Sequence, residues 1–266
     1  MTKAGTATTP IVFLHIPKTA GQTIHFELAR IVGEEAVSPI RVHTQAEKGA
    51  AQMPPGYSLY SGHIDWDAID TLPPDRFVFT VLRDPLERIA SFYFYLLRKA
   101  EAASPEERAL PERKGMRMIT GQSADDYFFG GDPAWQRFIQ DHYNNLYCSY
   151  LVTQKMRGRR FVADKKDTDL VRQAAAAARG LDGLYGVDNL GALEQDILER
   201  TGQEITVAGR YVNAGPDAGP DAQPDLRWPK LAARLEQDQS LQRLLDFARL
   251  DQQLMIELGL ASDAPV

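Results

Sequence analysis

Two short apolar runs, each ended by a loop and followed by helical periodicity, constrain the fold of this chain more than any other feature. The first is Ile11-Val12-Phe13-Leu14-His15-Ile16, bounded by Pro10 and Pro17. Apolar residues at consecutive rather than alternating positions predict a strand covered on both faces, as in a parallel sheet. Beyond the loop Pro17 to Thr23, Ile24, Leu28, Ile31 and Val32 recur at helical spacing, and Gly33 supplies a stop. Thr19 and Gln22 have the separation of a capping box for that helix.

The unit then recurs. Phe77-Val78-Phe79-Thr80-Val81-Leu82 lies between Arg76 and Arg83 and is rich in β-formers. Asp84 suits an N-cap, Pro85 the first helical position, and Glu87 the third residue of a capping box. Ile89, Phe92, Leu96 and Leu97 continue the stripe and predict a helix from Pro85 to about Ala103. Two such switches predict an α/β fold, a P-loop-like three-layer arrangement with a mainly parallel central sheet flanked by helices. Further helices are expected at Pro133 to Val152, Lys165 to Arg179, Leu190 to Thr201 and Leu241 to Leu258. Weaker strands are expected at Tyr57 to Ser61, Phe161 to Ala163 and Leu184 to Val187. The low-complexity stretch 213–229, rich in Pro, Gly and Asp, reads as an irregular connection, and no linker divides residues 1–266 into separate domains.

Composition narrows the function. With 44% apolar and 25% charged residues the chain has enough core to fold without staples, and a single cysteine, Cys148, leaves no disulfide framework or zinc set. No stretch of about 18 apolar residues is present to span a bilayer, and the run after the Thr/Ala-rich start is too short for a signal sequence. The expectation is a cytoplasmic protein. A net charge of −6 argues against nucleic acid as a partner. The basic stretch Lys155 to Lys166 reads as a solvated face. Oligomeric state is not readable.

The loop His15-Ile16-Pro17-Lys18-Thr19-Ala20-Gly21-Gln22-Thr23 falls where a parallel sheet presents its strand ends, just before a helix N-terminus. Backbone N–H groups and the helix dipole favour an anion there. Ala20 and Gly21 allow close approach, and Lys18, Thr19 and Thr23 offer a cation and hydroxyls. The G-x-x-x-x-G-K-[ST] pattern of a Walker loop is absent.

This loop resembles the 5′-phosphosulfate loop of the PAPS-dependent sulfotransferases, in particular the branch of carbohydrate and uronyl 2-O-sulfotransferases. A second motif of that family, an arginine at a strand end followed eight residues later by a serine, is matched by Arg83 and Ser91. The resemblance implies transfer of a sulfuryl group from PAPS (3′-phosphoadenosine 5′-phosphosulfate) to a hydroxyl acceptor, leaving PAP, without a metal. It implies that Lys18, Thr19, Ala20, Gly21, Gln22 and Thr23 hold the phosphosulfate, that Lys18 assists the leaving phosphate, and that Arg83 and Ser91 hold the 3′-phosphate. A guanidinium suits bidentate phosphate contacts. Arg210, in a late basic loop, is a further nucleotide candidate at even odds with a surface arginine.

A base should titrate near neutrality, and the histidines are His15, His25, His43, His63 and His142. His15 lies in an apolar strand and reads as a core residue; His25 reads as solvent-facing; His43 and His142 belong to no motif. His63 follows a short strand, where an α/β sheet places ligands. The segment Ser61-Gly62-His63 also resembles the region of the uronyl enzymes that carries the catalytic histidine, with Ser61 in place of the first residue of an H-x-H pair. His63 is the expected general base. The bulk negative charge favours a neutral or modestly charged glycan, lipid or metabolite as acceptor. The rival readings are a P-loop-type nucleotide kinase, a metal-dependent glycosyltransferase built on Asp65-Trp66-Asp67, and a catalytically silent PAP-binding module.

Overall fold

The computed structural model describes residues 9–209 and 226–262. Four parallel strands form the sheet: β1 (Ile11–Leu14), β2 (Leu59–Gly62), β3 (Phe77–Leu82) and β4 (Gly183–Gly186), in the order β2-β1-β3-β4. The eleven α-helices of the described residues are α1 (Gly21–Val32), α2 (Pro85–Glu101), α3 (Pro105–Ala109), α4 (Lys114–Gly121), α5 (Ala124–Phe129), α6 (Pro133–Tyr143), α7 (Leu146–Thr153), α8 (Asp167–Arg179), α9 (Leu190–Thr201), α10 (Trp228–Ala232) and α11 (Asp238–Glu257).

Alternation along the strands builds the layers. Val12, Leu14, Tyr60, Val78 and Leu82 pack with residues of α7, α8 and α11 on one face. Ile11, Phe13, Phe77, Phe79 and Val81 pack with α1 and α9 on the other. Both faces are thus covered, which is why β1 and β3 carry continuous apolar runs. A third cluster joins α2, α4, α5, α6, α10 and α11 beyond the sheet. Segment 37–43 runs along the free side of β2, with Val37 bridged to Leu59 and Val42 to His63.

The expected helix Pro133 to Val152 is two helices, and Asn145 is the reason. It adopts left-handed backbone, φ +47°, a conformation asparagine tolerates better than most residues. Its amide interrupts the ladder of α11: Leu250 N–H donates to Asn145 Oδ1 at 2.8 Å, and Asn145 Nδ2 donates to the Asp246 carbonyl at 3.2 Å. Asp251 then caps α7 from outside, accepting from Tyr147 N–H at 3.0 Å and Cys148 N–H at 2.9 Å. Arg88 closes the other side of the break, donating to the carbonyls of His142 and Tyr143 at the end of α6. A side chain supplied from more than 100 residues away leaves no local signal. Residues Phe161 to Ala163 are likewise not a strand; Arg159–Val162 form a 3-10 turn.

The first capping box also fails. Ala20, not Thr19, precedes the helix, and the Thr19 hydroxyl donates back to the Ile16 carbonyl at 2.9 Å. The second is half made: Glu87 N–H donates to Asp84 Oδ1 at 2.8 Å, while the Glu87 carboxylate is engaged elsewhere. Asp251→Ala would leave two buried amides without acceptors, a loss of about 2 to 4 kcal/mol. Urea unfolding of the variant should show that loss, and Asp251→Asn, which keeps one acceptor oxygen, should show less.

Candidate active site

The strand order reverses at β1, since β2 lies on one side and β3 on the other. Open parallel sheets bind ligands outside the carboxyl ends of such strands. The loop after β1 and Arg83 after β3 flank this point. In the loop, Lys18 and Ala20 have φ of +75° and +62°. Left-handed residues on either side of one that is not curl successive N–H groups into a concave anion nest. Each such non-glycine conformation costs on the order of 1–3 kcal/mol, strain that accumulates at functional sites. Gly21 begins α1 without positive φ, and its need is room. A Cβ there would lie 1.9 Å from Nε2 of His15.

Cations converge on this nest. Lys18 Nζ lies 4.2 Å from the Tyr95 ring centroid. Burial and then the charges of Arg227, Arg98 and Arg83 lower the Lys18 amine to about 8. Arg227 Nη1 reaches Ser91 Oγ at 3.5 Å. Arg83 is paired with Glu87 at 3.1 Å, and Glu87 also accepts from Trp228 N–H at 2.8 Å. Glu87 therefore holds Arg83 and the start of α10 together. The structure thus brings Lys18, Arg83 and Ser91 into one place with Tyr95, and adds Arg227, Arg98 and Glu87, which the sequence reading missed. Glu87 was hidden by its fit to a cap, and Arg227 by its distance along the chain. Thr19 is fully buried with its hydroxyl committed to Ile16, so only its backbone faces the nest. Ala20 and Thr23 border the nest, and Gln22 is exposed on the first turn of α1. Arg210 lies outside the described residues.

The Lys18 charge also reaches His15 and His63, and electrostatic contacts link these two to His25, His43 and His142. His63 Nδ1 lies 2.6 Å from the His15 carbonyl, which can only accept. Nδ1 therefore carries the proton, and Nε2 of the neutral ring is bare. Burial lowers the His63 pKa below its usual value, partly offset by that hydrogen bond. The His15 ring lies 4.3 Å from that of His63 and stacks on Phe13 at 5.1 Å. His25 is buried rather than solvent-facing. Its Nε2 accepts from Arg41 and its Nδ1 meets Ser61 Oγ at 3.2 Å, so Ser61, in the first position of the expected H-x-H pair, is joined to an imidazole from α1. Burial, then Arg41, lowers His25 to about 4. Burial lowers His15, His43 and His142 as well, the last to about 3.

Asp65 and Asp67 serve the fold here. Asp65 Oδ1 accepts from Met156 N–H at 2.8 Å, and Asp67 pairs with Lys155. The basic stretch after α7 is thereby drawn to the end of β2, and its Arg157 acts electrostatically on His43 and His142. No group of three or more His, Cys, Asp or Glu suited to a metal occurs among the described residues. No helix among them is long and apolar enough to cross a membrane.

A three-layer parallel sheet with an anion nest, a cation cluster and a tautomer-fixed histidine at its switch point defines an α/β group-transfer protein. The sequence model of the Sulfotransferase family matches residues 6–185, more than half of the chain, and includes both motifs and His63. The chain belongs to the Sulfotransferase family, and its sheet is the P-loop-like sheet expected of it. No curated protein matches the chain closely enough to be counted a relative.

A histidine held neutral when folded takes up protons more readily once unfolded. Stability from these five residues is therefore present above pH 6.5 and lost as pH falls below it. Asp251, raised to about 6 by burial, and Asp84 and Asp141, also raised by burial, oppose them above the ordinary carboxylate value, as three groups against five. Urea midpoints should fall as pH is lowered from 7 to 5, above the range where ordinary carboxylates titrate.

Proposed function

We propose that the chain transfers the sulfuryl group of PAPS to a hydroxyl of its acceptor, with His63 as general base and residues 1–266 serving as one domain. The observation that carries this reading is the convergence of Arg83, Arg98 and Arg227 on a half-buried Lys18, whose amine is depressed first by burial and then by their charges. Such a cluster fits a ligand with two separated anionic ends. PAPS supplies a sulfuryl group already joined to a good leaving phosphate. The backbone of 17–23 and Lys18 bind the 5′ end, where helix dipole, nest and ammonium act together. Arg83, Ser91 and Arg227 hold the 3′-phosphate. Arg227 is a late basic residue of this end, as Arg210 was expected to be from the sequence. Packing of Leu231, Leu244 and Phe247 with α2 ties the C-terminal helices to the same site.

His63 Nε2 takes the acceptor proton as the hydroxyl oxygen bonds to sulfur and the bond from sulfur to the 5′-phosphate oxygen breaks, the phosphate of PAP leaving with the electron pair beside Lys18. The His15 carbonyl fixes the ring for this, and burial keeps it unprotonated into mildly acidic conditions. Assignment of the base to His63 also rests on the resemblance of Ser61-Gly62-His63 to the uronyl branch. Unlike a metal-dependent glycosyltransferase, this chemistry asks nothing of Asp65 and Asp67.

The test is turnover of PAPS to PAP with a panel of hydroxyl acceptors. His63→Ala should lower kcat by about 10² to 10⁴ with the donor KM unchanged. Arg227→Ala should instead raise the donor KM. The acid limb of kcat/KM should have its midpoint below 6.5. Loss of activity in neither variant would overturn the assignment.

A further inference from the structure

Tyr95 has no part in the chemistry above except through Lys18. It follows Ser91 by four residues on α2, one turn along the same side of the helix. Ser91 meets Arg227, and the Tyr95 ring meets the Lys18 ammonium, with Nζ 4.2 Å from the ring centroid. The charges that act on Lys18 come from Arg227 ahead of α10, Arg98 on α2 and Arg83 after β3, and all three are cations. Glu87, on the first turn of α2, is committed to Arg83 and to Trp228 N–H. His15 and His63, which feel the Lys18 charge in turn, bring no negative charge to it. A half-buried ammonium among guanidiniums is driven to give up its proton. The face of a tyrosine ring opposes this, because its quadrupole attracts a cation without carrying a charge, and more strongly where water is excluded.

We propose that Tyr95 is a positioning residue for Lys18, the face of its ring keeping the ammonium charged and in place until the donor brings negative charge. This rests on the reading of Lys18 as the cation that meets the 5′ end of PAPS. A carboxylate beside Lys18 would hold the ammonium more strongly, and would then repel the phosphosulfate as it arrived. A ring face holds the ammonium and leaves the nest positive. An aliphatic side chain of similar size would exclude water without attracting the charge, so Lys18 would lose its proton more easily. The role belongs to the ring and not to the hydroxyl, which separates it from a polar contact and from packing alone.

The test is carbon-13 NMR of the lysine ε-carbons in the full, ligand-free chain, titrated from pH 6.5 to 10, with the Lys18 resonance identified by its loss in Lys18→Arg. Tyr95→Leu should make Lys18 about tenfold more acidic, and Tyr95→Phe should leave it within about twofold of wild type. Replacement of Tyr95 by pentafluorophenylalanine, which keeps the ring's shape and reverses the charge of its face, should act as Tyr95→Leu does and decides the question if the leucine variant folds poorly. PAP affinity should follow the same ionisation. Relative to wild type at the same pH, Tyr95→Leu should bind within about twofold at pH 6.5 and about tenfold more weakly at pH 9. An unmoved Lys18 in both the leucine and the fluorinated chains, Tyr95→Phe as acidic as Tyr95→Leu, or an equal loss of PAP affinity at both pH values would overturn the proposal, the last by making Tyr95 a packing residue. Failure of the wild-type chain to bind PAP at either pH, with Lys18 still answering to the ring, would instead remove the donor reading on which the proposal stands.

Discussion

Parallel pairing of β1 with both β2 and β3 places three strand ends side by side, and the rest of the site depends on that alignment. Ile11 sits level with Leu59 on one side and Phe77 on the other. The nest after β1, His63 after β2 and Arg83 after β3 therefore open toward the same crevice. None of the three elements carries a complete site. A shift of register by one residue would turn every strand side chain to the opposite face, so packing of both covered faces also fixes the chemistry.

Charge is then divided within the crevice. On the β3 side, Lys18, Arg83, Arg98 and Arg227 concentrate positive charge, with Glu87 bracing the cluster through Arg83 and Trp228. On the β2 side, burial lowers the pKa of the histidines, and Lys18 adds to this at His15 and His63. The two conditions support each other. Neighbouring cations disfavour protonation of the rings, and neutral rings add no further repulsion to a nest already crowded with cations. His63, the proposed base, gains from this, because a base must stay unprotonated to take up a proton.

Much of this was legible in the sequence wherever cause and effect are close along the chain. Consecutive apolar residues announced the buried strands, Asp84-Pro85 announced α2, and the loop after β1 announced an anion site. What could not be read depends on partners far away. Asn145 and α11 together break the expected helix, and no local signal marks it. Glu87 satisfied a local pattern that concealed its two distant contacts. His25 and Ser61 become neighbours only when α1 packs on β2. The overall charge of −6 could not reveal the cluster for the same reason: a sum over the surface says nothing of cations gathered around Lys18. Thr19 shows the converse, a loop residue whose hydroxyl faces the protein.

The central claim is that this cation cluster is a two-ended site for a 3′-phosphorylated nucleotide. Calorimetric titration with PAP beside 5′-AMP, at pH 8 in metal-free buffers of different ionisation enthalpy, tests it most directly. PAP should bind at least about tenfold more tightly, a gap of about 1.4 kcal/mol, and should draw a proton from the buffer as the anion returns Lys18 toward its ordinary value. Equal affinity for the two nucleotides, or no binding of either, would contradict the account.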